Sequence, residues 1–147
     1  MNILNALIRV ANIEDLDGLA RLNNLFNEGQ ETAGTIWQRL TNPSCVEIPI
    51  VAIIHNRVVG FAGLRIVPYL FYDGVHAELT ELFVEESHRR QGIARALMQF
   101  AEQIARERNG HELVLHTGAD NQTARKFYAA MGYTEWELVL GRTLLQE

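Results

Sequence analysis

One stretch of the sequence combines a strand, a polar loop and a helix in a way that suits a bound anion. A strand ending at Val84 leads through a loop carrying Arg89, Arg90 and Gly92 into a long helix. The first backbone N–H groups of a helix have no acceptor within it, and the helix dipole places partial positive charge there. Gly92 allows close backbone approach and the arginines add charge, so the stretch predicts a pyrophosphate site. The alternative is an ordinary strand–loop–helix connection with solvated arginines.

The glycine pattern excludes two familiar nucleotide-binding loops. The sequence has neither the Gly-x-x-x-x-Gly-Lys of a Walker loop nor the three spaced glycines of the dinucleotide fingerprint. Instead, Arg89-x-x-Gly92-x-Ala94 resembles the pyrophosphate loop of the GNAT acetyltransferase superfamily, and the resemblance extends from Leu7 to Leu145. The other positions that carry it are Ile8, Arg9, Ala11, Glu14 and Asp15 near the start, and later Asn121, Ala124, Phe127, Tyr128, Gly132 and Tyr133.

The resemblance implies an enzyme that moves an acetyl group from acetyl-CoA, its co-substrate, to a primary amine. The expected mechanism is direct attack in a ternary complex, without a metal. The residues implied in cofactor binding are Phe83, Val84, Arg89, Arg90, Gln91, Gly92, Ile93, Ala94 and Asn121. Backbone groups near Phe83 and Val84 are expected to bind pantetheine, because splayed parallel strands leave main-chain groups unpaired. Asn121 could instead cap the following helix, a position that favours asparagine.

Three side chains are candidates for moving protons. Amine attack on a thioester needs a neutral amine and a protonated leaving thiolate, so a general base and a proton donor are useful. The resemblance implies Tyr128 as the donor; otherwise it is a packed helix tyrosine. The resemblance implies Glu78 as the favoured base and Glu81 as the second candidate, with a water molecule as the alternative base and a solvated glutamate as the alternative role. Alternation along a strand predicts that the two glutamates point to opposite faces unless a bulge intervenes. His76 and His116 are weaker candidates.

The elements that must position these residues follow from hydrophobic periodicity. Apolar residues at helical spacing predict an amphipathic helix from Leu16 to Phe26 and a stronger one from Gln91 to Arg108. Residues 48–55 and 58–67 predict a hairpin. The predicted order is β-α-α-β-β-β-α-β-α-β, with one or two final strands between Tyr133 and Leu145. We expect an α/β fold with a GNAT-like, mostly antiparallel mixed sheet, one splayed parallel strand pair and flanking helices.

The bulk properties favour one small domain. The 147 residues fit a single N-acetyltransferase domain over positions 1–147, and the net charge of −5 argues against general nucleic-acid binding. Cys45 is the only cysteine, so no internal disulfide forms, and the cytoplasm is the expected compartment, with no membrane partner. A small amine or amino-acid-like acceptor is favoured. A noncatalytic CoA-binding regulatory module, a protein or peptide acetyltransferase and a homodimer stay open.

Overall fold

The computed structural model describes residues 5–145, which divide into two compact units, one ending at His116 and one beginning at Thr117. The first unit contains β1 (Leu7–Val10), α1 (Leu16–Asn27), α2 (Ala33–Leu40), β2 (Glu47–Ile54), β3 (Arg57–Pro68), β4 (Val75–Val84), α3 (Ile93–Glu107) and β5 (Gly110–Leu115). The second contains α4 (Gln122–Ala130). None of these helices is long and apolar enough to cross a membrane.

The five strands form one mixed sheet in the order β1-β2-β3-β4-β5. Neighbours are antiparallel except β4 and β5, which are parallel and connected through α3. This confirms the predicted sheet and its parallel pair. The hairpin between β2 and β3 turns at His55 and Asn56, whose φ angles are 47° and 60°. Two successive positive φ angles are typical of the two-residue hairpin turn whose twist matches that of the strands, so His55 and Asn56 form this turn without a glycine.

Helices cover both faces of the sheet. On one face, α1 contributes buried leucines such as Leu22, which pack with Val51 and Phe61. On the other face, α3 buries Ile93 and Leu97 against the strands. A Cβ placed on Gly60, the neighbour of Phe61, would lie 3.4 Å from both Ile93 and Leu97. Adjacent strand residues point to opposite faces, so this close approach puts α3 on the face opposite α1.

A β-bulge interrupts β4. Glu81 pairs with Gly63, but Leu79 pairs with the very next residue of β3, Leu64. Thr80 is therefore an extra residue without a partner on β3. One extra residue reverses the alternation beyond it, so Glu81 lies on the same face of the sheet as Glu78. That face is the α1 side, since Phe83, two residues further on, packs against Phe26 with ring centroids 5.1 Å apart.

The prediction of one or two strands between Tyr133 and Leu145 is wrong. Residues 133–145 adopt no strand or helix within the described chain. Their apolar side chains lie largely in solvent, with Leu138 and Leu140 both 90% exposed. Alternating apolar residues predict a strand only where one face becomes buried, and here burial supplies no such stabilisation.

Candidate functional site

The N-terminus of α3 is open in the way an anion site requires. Gly92 precedes the helix with φ of 82°, and no side chain among the described residues caps it. The first backbone N–H of α3 that forms a helical hydrogen bond is that of Ala96, which donates to the Gly92 carbonyl at 3.0 Å. The N–H groups of Ile93, Ala94 and Arg95 therefore have no intrahelical acceptor. A Cβ on Gly92 would meet nothing within 4 Å, so the glycine faces open space.

The two loop arginines have different surroundings. The Nε of Arg89 donates to the Val84 carbonyl at 3.0 Å, and its guanidinium lies 5.5 Å from the centre of the Phe83 ring. Arg89 thus links the loop to the end of β4. Arg90 is exposed and has a left-handed backbone with φ of 61°, a conformation that costs a non-glycine residue about 1–2 kcal/mol. Their role towards phosphate stays a prediction, as does that of the exposed Gln91.

The end of β4 has an open backbone edge. Parallel pairing with β5 extends only from Val75 to Leu79, whereas β4 continues to Val84. Within the first unit, the last five residues of β4 therefore have no strand on the β5 side. Backbone groups at such an edge need partners, and the alternating amides and carbonyls of a pantetheine chain can provide them. The residues present thus fit the pantetheine and diphosphate groups of CoA.

A cleft of about 590 Å³ adjoins this edge. Phe83 and Leu25 supply apolar walls, and Ser87 and Arg89 supply polar ones. The remaining lining residues, Glu85 and Glu86, are acidic. The cleft therefore connects the end of β4 and the loop before α3 to the C-terminal half of α1.

The candidate bases Glu78 and Glu81 share a face, against the default prediction of opposite faces, and the bulge at Thr80 is the reason. Glu78 lies beside one arginine and two histidines. Its Oε2 lies 3.3 Å from Arg65 and 3.7 Å from His76, and its Oε1 lies 3.5 Å from His116. Arg65 is also bound to Glu47 at 2.8 Å, so one arginine of β3 lies between a glutamate of β2 and a glutamate of β4.

Glu81 has a different environment from Glu78. Burial raises the pKa of its half-buried carboxyl, and the negative charge of Glu47 adds to this. A hydrogen bond with Asn27, at the end of α1, lowers the pKa by a smaller amount. No cation among the described residues forms an ion pair with Glu81. A carboxylate with a raised pKa and no bound cation is better suited to accept a proton than one already paired.

Asn121 and Tyr128 belong to the second unit. Asn121 caps α4, with its Oδ1 accepting a hydrogen bond from the Ala124 N–H at 3.2 Å, the alternative role that its residue type favours. Tyr128 packs edge-on against Phe127 and Tyr133, with ring centroids 5.4 Å and 6.2 Å away. Burial raises the pKa of Tyr128, so its hydroxyl keeps its proton at neutral pH.

Sequence patterns missed one cluster beside the loop. Glu85 binds Arg21 of α1 at 2.7 Å and Arg57 of β3 at 2.8 Å. These arginines are 64 and 28 residues away in the chain, so no local spacing signals the contact. The only indication is the acidic pair Glu85-Glu86 next to a predicted anion site. Elsewhere, residues 5–145 contain no group of three or more His, Cys, Asp or Glu side chains arranged to hold a metal ion.

A strand with one open edge, followed by a loop and an uncapped helix, can bind one extended ligand that carries amide groups and a diphosphate. The model of the acetyltransferase (GNAT) family matches residues 13–133. The chain belongs to this family, whose co-substrate is acetyl-CoA. The resemblance read from the sequence, to a family of N-acetyltransferases, is confirmed.

Relatives with curated descriptions agree with this assignment. Human N-acetyltransferase 8 is 37% identical over 83 residues, which cover 56% of this chain and 37% of that protein. Aminoglycoside N(6')-acetyltransferase type 1 of Klebsiella aerogenes is 34% identical over 107 residues, covering 71% of this chain and 69% of that protein. The chain thus spans little more than a third of the length of the human relative.

Solved structures share the fold. An aminoglycoside acetyltransferase from an uncultured soil metagenomic sample, in complex with trehalose, superposes with a TM-score of 0.82 over 97% of each chain at 20% identity. Ribosomal-protein-alanine N-acetyltransferase of Brucella melitensis gives a TM-score of 0.78 over 94% of this chain and 99% of that one, at 21% identity. At these identities the likeness establishes the fold alone.

Proposed function

We propose that the protein transfers the acetyl group of acetyl-CoA to a primary amine of a small, positively charged molecule. One observation carries the proposal: the uncapped N-terminus of α3 at Gly92 lies directly after the open backbone edge of β4. Together they match the diphosphate and the pantetheine of one extended cofactor. As part of the proposal, residues 1–147 act as a single N-acetyltransferase domain in the cytoplasm, either alone or as a homodimer.

The cofactor-binding set follows from this arrangement. Main-chain groups of Phe83 and Val84 hold pantetheine. The diphosphate is held by the loop and the first turn of α3, through Arg89, Arg90, Gln91, Gly92, Ile93 and Ala94. Asn121 is a further contact to the cofactor. Bound acetyl-CoA supplies an acetyl group activated as a thioester. Gly92 lets the amides approach closely, and the arginines neutralise charge on the phosphate oxygens.

We assign the base to Glu81 in preference to Glu78. A primary amine has an ordinary pKa near 10, so it arrives protonated and must lose a proton before attack. Glu81 has the raised pKa and no bound cation, whereas Glu78 is already engaged by Arg65. The nitrogen then bonds to the acetyl carbon as the carbon–sulfur bond breaks. Glu81 takes one proton from the ammonium group before attack and later releases it to solvent. The Tyr128 hydroxyl gives its proton to the leaving sulfur and regains one from the acylated nitrogen, which becomes the neutral amide.

The charges on the α1 face of the sheet support a cationic acceptor. Glu47, Glu78 and Glu81 lie near one another, and Arg65 is the arginine that pairs with the first two. An amine bearing more than one positive charge gains from such a surplus of carboxylates. One relative named above, from Klebsiella aerogenes, is described as an aminoglycoside acetyltransferase, which supports the same acceptor class. We therefore favour a small polyamine or an amino sugar over a protein.

The test is release of free CoA thiol from acetyl-CoA with a panel of acceptors: polyamines, aminoglycosides, amino acids and short peptides. We expect turnover with a polycationic small molecule and little with neutral amino acids. Turnover with peptides alone would show a protein-modifying enzyme. Acetyl-CoA binding without turnover on any acceptor would favour a regulatory module, and absence of binding would refute the proposal.

A further inference from the structure

The loop that forms the proposed anion site begins with a negatively charged residue, Glu85. Glu85 is the first residue after β4 and leads into the loop that ends at Gly92. Its side chain is 16% exposed. A negative charge close to a diphosphate repels it, so charge alone would disfavour Glu85 at this position. The residue must therefore have another role, or it weakens binding.

The contacts of Glu85 join three elements. Its Oε1 accepts hydrogen bonds from Arg21 Nη1 of α1 at 2.7 Å and from Arg57 Nη2 of β3 at 2.8 Å. Arg21 also donates from Nη2 to the Val58 carbonyl at 2.7 Å. The Glu85 backbone N–H donates to the Val59 carbonyl at 2.8 Å. The residue at the start of the loop, which follows β4 in the chain, is thus fastened to α1 and to β3.

The carboxylate is charged in this setting. Hydrogen bonds from Arg57 and Arg21 hold the pKa of Glu85 below its usual range, although burial opposes them. Its second oxygen, Oε2, is buried without a hydrogen-bond partner, and His88 Nδ1 of the same loop lies 3.5 Å away. Two arginines and one carboxylate leave a net positive charge at the start of the loop, so the cluster is compatible with a nearby anion.

The loop has few other attachments. Within it, the His88 N–H donates to the Glu85 carbonyl at 2.9 Å and the Arg89 N–H to the Glu86 carbonyl at 3.3 Å. Arg89 Nε donates back to the Val84 carbonyl. All of these bonds stay within the segment that runs from the last residue of β4. In the described chain, the Glu85 side chain connects this segment to α1 through its hydrogen bond with Arg21.

We propose that Glu85 is a positioning residue for acetyl-CoA binding. By fastening the start of the loop to α1 and β3, it holds the open amides before α3 in their binding geometry before the cofactor arrives. This inference rests on the proposed function. A site that is in its competent form only part of the time binds more weakly in proportion to that fraction. Glu85 therefore strengthens binding of an anion although it is itself negative.

The decisive variant is Glu85→Gln, which keeps the shape and removes the charge. We expect the dissociation constant for acetyl-CoA, measured by calorimetry, to rise about tenfold, as if the competent fraction fell to about one tenth. The kcat at saturating acetyl-CoA should stay unchanged, with the loss confined to KM. In the unliganded protein, amide hydrogen exchange in residues 86–92 should become faster.

Two control variants separate positioning from charge and from stability. Glu86→Gln removes a neighbouring, exposed negative charge, and we expect it to tighten acetyl-CoA binding, the opposite sign. Asp15→Asn breaks another partly buried ion pair, formed by Asp15 and Arg9, and both of these residues lie outside the loop. It should destabilise the fold without changing acetyl-CoA affinity. If Glu85→Gln folds poorly, Arg57→Gln removes one of the two arginine contacts and should weaken binding about threefold by the same argument.

The inference is overturned if Glu85→Gln binds acetyl-CoA as tightly as the unaltered protein, or more tightly like Glu86→Gln. It is equally overturned if exchange in residues 86–92 of the unliganded protein is unchanged. Failure of the unaltered protein to bind acetyl-CoA refutes the proposed function instead. In that case the exchange measurement still decides whether Glu85 holds the loop.

Discussion

Replacing Gly92 with alanine should separate folding from cofactor binding. The backbone at Gly92 has φ of 82° and ψ of 7°, in the left-handed region. An alanine there costs about 1–2 kcal/mol, partly offset by about 0.4–1 kcal/mol because alanine is less flexible than glycine in the unfolded chain. No atom of residues 5–145 lies within 4 Å of the new Cβ, so no clash with them adds to this cost. The net loss of about 1 kcal/mol corresponds to a fall in Tm of about 3 °C.

The effect on binding should be much larger. The methyl group would occupy the open space before α3 that we assign to the diphosphate, and would hold phosphate oxygens away from the helix amides. Losing one or two hydrogen bonds to a charged group costs about 1.5–3 kcal/mol, which is a tenfold to hundredfold rise in the acetyl-CoA dissociation constant. Thermal unfolding and calorimetric titration of the same sample measure the two effects independently.

Gly132→Ala is the matched control. Gly132 follows α4 with φ of 94°, and a Cβ added there would also meet no atom within 4 Å. Its substitution should lower Tm by a similar amount and leave acetyl-CoA affinity unchanged. Equal affinity of the Gly92→Ala protein and the unaltered protein would refute the assignment of the diphosphate to this helix terminus.

Two further predictions concern proton transfer. Because burial raises the pKa of Glu81 and a base must be deprotonated, activity should rise as pH increases through that raised pKa. Glu81→Gln should lower kcat by about 10²–10⁴-fold and flatten the pH–rate profile. The raised pKa of Glu81 affects folding in the opposite direction, because the stability that its protonated carboxyl contributes is lost as pH rises through the folded-state pKa. Glu81→Gln should therefore stabilise the protein at pH 7 but not at pH 4. An unaltered pH–rate profile would instead point to water or Glu78 as the base. Tyr128→Phe should lower kcat with acetyl-CoA affinity unchanged, and full turnover would exclude it as the proton donor.

The elements that pattern alone specifies were predicted well. The helix predicted over Gln91–Arg108 is α3 at Ile93–Glu107, because its apolar stripe is continuous and becomes buried. The hairpin was placed to within a residue or two of β2 and β3. The glycine that opens α3 could be identified because only a few residue types tolerate its backbone conformation. These features depend on neighbours within a few positions of one another.

Features that depend on distant partners were not predictable. The bulge at Thr80 follows from how β4 registers against β3, which alternation within one strand does not reveal. The partners of Glu85 come from α1 and from the start of β3. Residues 133–145 carry many apolar side chains, but those beyond Tyr133 are exposed, so the pattern predicted an element that the described chain lacks.

The extra residue in β4 makes the chemistry of this face sensitive to chain length. Deleting Thr80 would restore simple alternation and rotate every later residue of β4 by half a turn. Glu81 and Phe83 would then enter the apolar layer beneath α3, and Leu82 and Val84 would replace them beside α1. Substitutions change the α1 face of the sheet one side chain at a time. Loss of a single codon from β4 would instead exchange the side chains on its two faces from that point onward. We therefore expect evolution to vary the residues of this strand while its length stays fixed.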